Sequence, residues 1–273
     1  MQSAYGAALR RSLAAGMTDV AASLTYYQLL SLVPCVTLLL ALVGLVGKDP
    51  ETTNAVVQVI EEGGSANAAD TARGGLQRAL ESAPRSGTVL GIGLIATLYV
   101  ASLYVAAFSR AAHRLAGQER PPMLRARPLQ AVATFAGVLL LALALILIVI
   151  SERIADALAD ATGVGLFSDA LWPVFRWAAI LACLIAITAG LYSVDPTRTR
   201  RWPMPTFGAL VAIGLWIAAT IGFEVYLHTV ASYDQTYGAL GGLITFLVWA
   251  WLSNMVLIYG LALDQERRAR GPG

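Results

Sequence analysis

The sequence predicts an all-α, polytopic membrane protein with six transmembrane helices and short amphipathic helices at the interfaces. Three observations predict it. The 273-residue chain is 57% hydrophobic but only 13% charged, about half the charge of an average soluble domain. It contains six apolar stretches of the roughly 20 residues that a helix needs to cross about 30 Å of hydrocarbon. Its arginines also collect in alternate connecting segments, as topology signals do. Runs of about ten alternating residues, which a transmembrane barrel needs, are missing.

The six stretches cover approximately 20–47, 87–112, 129–150, 173–194, 206–230 and 238–263 and form a single domain over 1–273. The segment before the first is a candidate interfacial helix. The first stretch is much longer than the 7–15-residue core of a cleavable signal. It opens "AASLTYYQLLSLVPC". At about 100° per residue, Ser23, Tyr27, Ser31 and Pro34 fall within about 80° of arc, bordered by Gln28 and Cys35. Pro34 lacks an amide donor, so it weakens the ladder near Leu30 and bends the helix. This polar stripe turns away from lipid, toward a cavity or toward neighbouring helices that it holds by hydrogen bonds. Both readings stay open.

The segment 48–86 reads as an outer amphipathic loop. A helix start at Thr52–Thr53 precedes apolar Val56, Val57, Val59 and Ile60 and a Gly63–Gly64 stop, and a second, weaker helix closes at Pro84. In the second span, Gly87 and Gly91 let backbones approach closely. The third, "LQAVATFAGVLLLALALILIVI", carries no charge. The loop after it offers Ile154, Leu158 and Trp172 to the interface. In the fifth, Trp216, Thr220, Glu224 and His228 follow one another at intervals of four. Glu224 is the only acid well inside a span, an expensive position, so it is expected against other helices or in a cavity open to the outer leaflet and is by default a functional candidate. With His228 it could share a proton or an ion, or form a structural couple. In the sixth, Gly238, Gly242, Thr245, Trp249 and Ser253 share a face suited to close packing. Gly208, Gly214 and Gly222 suggest tight packing in the fifth. Cys35 and Cys183 fall inside spans and read as free thiols. No His, Cys or acid cluster has metal-ligand spacing, so neither metal nor cofactor is expected.

With the amino terminus in the cytoplasm, 13 of the 19 basic residues lie inside, giving net +8 there and −5 outside. Short loops rich in arginine stay cytoplasmic, so both termini are expected inside. The arginine clusters read as topology and anionic-lipid contacts rather than a nucleic-acid surface.

Three places resemble the BrkB/YihY-like family of bacterial inner-membrane proteins. "AASLTYYQLLSLVP" resembles their first span, with Ala-Ala, Tyr-Tyr and Ser-x-x-Pro. "YGALGGLITFLVWAWLSNMVLIYGLALDQE" resembles their last, and "GALVAIGLWIAATIGFEVYL" matches at Gly208, Ala209, Trp216, Phe223 and Tyr226. Two departures stand out: Ala262 occupies a place often acidic in the family, with Asp264 and Glu266 following instead, and "VDPTRTRRW" replaces a Pro-Asn pattern. The resemblance implies six spans with cytoplasmic termini in the inner membrane. The family's ribonuclease label looks mistaken for such a sequence, since no soluble catalytic face is visible. The expected function is transport or flipping of a lipid-like or amphiphilic envelope molecule, without catalysis. The alternative is a scaffold that docks an envelope partner through the outer amphipathic helices. Expected partners are membrane lipids, with an envelope protein or a second copy of the chain in addition, and no nucleic acid.

Overall fold

A computed structural model describes residues 4–46, 87–118, 123–149, 172–198, 204–230 and 239–270. The described residues form seven helices and no strand. They are α1 (Ala4–Ala14), α2 (Met17–Val46), α3 (Gly87–Ala116), α4 (Met123–Val149), α5 (Trp172–Tyr192), α6 (Phe207–Val230) and α7 (Ala239–Ala269). All but α1 have 21 to 31 residues. Among the described residues, four segments are long and apolar enough to cross a membrane: Ile95–Ala116, Val174–Tyr192, Phe207–Leu227 and Gly241–Ala269. Gln130–Leu141 adds a shorter apolar stretch in α4. The outer loop read over 48–86 lies outside the described residues.

Local chemistry sets the helix ends. Gly16, at φ +72°, ends α1 and lets the chain turn directly into α2. Gly117, at φ +64°, ends α3. There the Gln118 amide reaches the His113 carbonyl at 3.1 Å and the Gly117 amide reaches Arg114 at 3.2 Å. These paired bonds satisfy carbonyls that the helix end would otherwise orphan. Thr206 precedes α6, and its Oγ1 accepts the Ala209 amide at 3.2 Å, the usual N-cap bond.

The chain divides into two compact units. One comprises Met1–Ser31, Leu98–Val138 and Ile185–Gly273; the other comprises Leu32–Thr97 and Leu139–Leu184. In the second unit, the Trp172 and Phe175 rings lie 5.6 Å apart. Arg176 stacks over Trp177 at 5.6 Å, and Cys183 is a buried free thiol. Exposed Val174, Phe175 and Trp177 coat α5 near its start. The first unit holds the core of Ala8, Ala21, Leu24, Phe108, Ala112, Tyr192, Ala209, Ala212, Ile258, Leu261, Ala262 and Leu263. Phe108 and Tyr192 stack there at 5.9 Å between centroids. Alanines dominate because the helices run close together.

Among the described glycines, Gly208 of α6 and Gly260 of α7 sit closest to a neighbouring backbone. A Cβ on Gly208 would sit 2.2 Å from the Gly260 carbonyl oxygen, and one on Gly260 would sit 2.5 Å from that of Gly208. The packing glycine read from the sequence at Gly242 is corrected: it is exposed, and a Cβ there meets nothing within 4 Å. Gly214 and Gly222 are equally open. Small residues permit close packing only on the face that meets a neighbour, and these three sit on outward faces. The surroundings of Gly87, Gly91 and Gly238 lie outside the described side chains, and Thr245 is half-buried. Gly260→Ala is therefore expected to force α6 and α7 apart and cost about 1–3 kcal/mol. Gly242→Ala should stay within about 0.5 kcal/mol of wild type. Unfolding midpoints of the two variants check the contrast, and equal midpoints would refute it.

Candidate functional site

The first unit contains two buried polar clusters. The first centres on Asn254 of α7, which is 1% exposed. Its Oδ1 accepts the Tyr104 hydroxyl at 2.8 Å. Its amide nitrogen faces three acceptors: Thr25 Oγ1 at 3.2 Å, Gln28 Oε1 at 3.1 Å and its own helix's Ala250 carbonyl at 2.9 Å. One amide thus ties α2, α3 and α7 together. Beside it, the Tyr27 hydroxyl accepts Arg110 Nη2 at 3.3 Å, and the guanidinium lies 5.7 Å from the Tyr27 ring centroid.

The second cluster closes the α5–α6 connection onto the end of α7. Asp195, with a fully buried side chain, accepts the Thr197 amide at 3.1 Å, the Thr197 hydroxyl at 2.8 Å and Gln265 Nε2 at 2.9 Å. Arg268 Nη1 also donates to it, and to Thr197 Oγ1 at 2.8 Å. Gln265 Nε2 spends its other hydrogen on the Ala112 carbonyl at 3.1 Å. One turn earlier on α7, Asp264 accepts the Gly208 amide at 2.7 Å and the Thr206 hydroxyl. Its carboxylate therefore sits on the N-terminus of α6, where the helix dipole favours negative charge. Arg268 Nη2 lies 3.5 Å from it, so one guanidinium serves both acids. Arg198 bonds the Met204 carbonyl at 3.0 Å. Burial, and then the nearby Arg268, lower its affinity for a proton from the ordinary arginine value, while Asp264 and Asp195 oppose that shift. The cluster thus balances two acids with two guanidiniums.

The family described as virulence factor BrkB matches residues 8–272. The chain belongs to the BrkB family. It is 31% identical to the ribonuclease-like protein YfkH of Bacillus subtilis over 242 residues, 88% of this chain and 86% of that protein. It is 28% identical to a UPF0761 membrane protein of Alkalilimnicola ehrlichii over 265 residues, 93% of this chain but only 57% of that longer protein. A UPF0761 membrane protein of Halorhodospira halophila is 35% identical over 78 residues, 29% of this chain and 17% of that one. No solved structure matches.

In this BrkB-family chain the residues singled out from the sequence separate. Tyr27, Gln28 and Ser31 are half-buried, and Ser31 Oγ returns to the Gln28 carbonyl at 2.7 Å. Ser23 is exposed, so the expectation that it turns away from lipid is corrected. The buried face of α2 runs through Ala21, Leu24 and Thr25 instead. Pro34 stands inside a helix that runs unbroken from Met17 to Val46; its side chain lies outside the described ones. On α6, Trp216 donates to Ser253 Oγ at 2.9 Å, and Trp249 donates to Thr220 Oγ1 at 3.3 Å, so both α6 residues meet α7. Glu224 does not: it is exposed beside exposed Ile221 and Val225. The expectation that Glu224 faces neighbouring helices or a cavity is corrected. The reason is geometric. Each step of four residues advances a helix by about 400°, so an i, i+4 series drifts about 40° per step. Two steps beyond Trp216, the series has rotated out of the α7 contact. The His228 side chain lies outside the described ones.

Asp195, Asp264, Gln265, Arg268 and Asn254 were not singled out from the sequence as site residues. The acids and Arg268 read as charges at span ends. The signals that could have found them are the i, i+4 spacing of Asp264 and Arg268 and the Thr206 cap just ahead of an apolar run.

Proposed function

We propose that this chain is a transporter or flippase for a lipid-like or amphiphilic envelope molecule. It would sit in the bacterial inner membrane with both termini in the cytoplasm, and this reading assigns it no catalysis. The observation that carries the reading is the Asn254 cluster. Five polar side chains and Arg110 meet among apolar helices, the kind of placement that marks substrate paths in membranes. As mere glue it is inefficient, because interhelical hydrogen bonds in a bilayer average only about 0.6 kcal/mol. The alternative, a scaffold that docks an envelope partner, is favoured by the mutual satisfaction of these groups. The ribonuclease-like label belongs to YfkH and is not carried over.

Purified chain in liposomes should move a headgroup-labelled phospholipid between leaflets, read by chemical bleaching of the outer leaflet. Tyr27→Phe, which removes the hydroxyl that accepts Arg110, should slow it severalfold. Glu224→Gln, on an outward face, should leave it unchanged. No movement above protein-free liposomes for any lipid tried would favour the scaffold.

Topology has its own test. In a background lacking Cys35 and Cys183, a cysteine at Ser65 should react with an impermeant thiol reagent in intact cells. A cysteine at Ala126 should react only after lysis, because the arginine-rich segments stay inside. The reverse pattern would overturn the orientation.

A further inference from the structure

We propose that α1 is a docking surface for anionic lipid headgroups, in the leaflet at the arginine-rich end of the first unit. Its two faces differ sharply. Ala8 and Ser12 are fully buried, and the Ser12 hydroxyl turns back to the Ala8 carbonyl. Next to them round the helix, Tyr5, Leu9 and Leu13, spaced by four, are 50%, 46% and 56% exposed. The helix contains no acid, and Arg10 is exposed next to Leu9.

This exposed face is held in place. Tyr259 reaches the Tyr5 carbonyl at 3.5 Å. Arg11 Nε donates to the Leu115 carbonyl at the end of α3 at 2.8 Å, and its Nη1 lies 3.6 Å from Glu266. From Tyr5 to Arg11 is about 9 Å of helix, and from Tyr259 to Glu266 about 10 Å. Helix α1 therefore lies alongside the last turns of α7, and Gly16 fixes its exit into α2. Arg114, exposed, lines the same narrow apolar crevice as Ala15 and Met17 just beyond α1.

A fixed helix whose narrow apolar stripe has exposed Arg10 beside it, with exposed Arg114 near the end of the helix, fits a lipid surface. The apolar side chains enter the boundary of the acyl chains, and the guanidiniums meet phosphate. A protein partner fits less well. Three half-exposed side chains offer roughly 300 Å², against about 800 Å² per partner in a standard interface. The inference is independent of any transport activity.

The test uses the full chain, with Leu9→Cys in a background lacking Cys35 and Cys183, carrying a bimane label. The protein is reconstituted in phosphatidylcholine vesicles containing doxyl-labelled phosphatidylglycerol or doxyl-labelled phosphatidylcholine. Doxyl lipid should quench the label, and the anionic lipid should do so at least about twofold better at equal mole fraction. The preference should vanish in Arg10→Gln/Arg114→Gln. If that variant fails to fold, about 1 M salt should remove the preference in the original protein, because screening then acts within about 3 Å. Equal quenching by the two lipids, or a preference that survives both salt and the double variant, would overturn the proposal. So would quenching by aqueous iodide alone, or a label reached by neither, which would mean that protein covers the stripe.

Discussion

Replacing Arg268 by alanine is expected to destabilise the folded chain by about 3–5 kcal/mol, because it strands two buried carboxylates. Asp195 and Asp264 have side chains 0% and 5% exposed, and Arg268 contacts both. Arg198 lies near enough to temper the loss, but its hydrogen bond goes to the Met204 carbonyl. Arg268→Lys keeps the charge but cannot fork between two acids, so it should lose an intermediate amount. The decisive comparison is Arg268→Met with Asp195→Asn and Asp264→Asn. Removing charge on both sides should recover much of the stability lost by Arg268→Ala alone, since neutral groups of similar volume often replace buried ion pairs at little cost. Thermal unfolding in lipid nanodiscs measures all four. An Arg268→Ala protein within about 1 kcal/mol of wild type would mean that water, not Arg268, supports the acids.

This cluster explains where the sequence was readable and where it was not. The apolar stretches announced long helices because burial in lipid demands about 20 uninterrupted residues, and a helix overlaps each of the six. The direction in which each helix faces was harder. Ser23 and Glu224 were both placed by i, i+4 stripes, and both turn outward, because the roughly 40° drift per step carries such a stripe off the contact face. Glycines misled in the same way. Gly242 and Gly260 lie on one helix, but only Gly260 meets another backbone. The acids Asp195 and Asp264 looked like ordinary charges at span ends. Their role depends on the α5–α6 connection folding back against α7, a long-range pairing that local spacing does not encode.

The Asn254 cluster offers the prediction that separates the two functional readings. Asn254→Ala removes the acceptor for the Tyr104 hydroxyl and the donor to Thr25 and Gln28. Each buried group left without its partner costs about 1–3 kcal/mol, and Thr25 is buried while Tyr104 is partly so, giving a loss of about 2–4 kcal/mol. Tyr104→Phe should cost less, since Asn254 keeps its three amide contacts and only its Oδ1 loses a donor. The double change Asn254→Leu with Tyr104→Phe deletes donor and acceptor together and fills the space. It should be more stable than Asn254→Ala, because matched apolar replacement can be nearly neutral. If the cluster only holds α2, α3 and α7 together, restored stability should bring back whatever activity Asn254→Ala lost. If it serves a passing polar headgroup, the repaired protein should fold like wild type and still fail to move labelled lipid in liposomes. Full recovery of lipid movement in the double variant would retire the cluster as a transport element and leave it as interhelical packing.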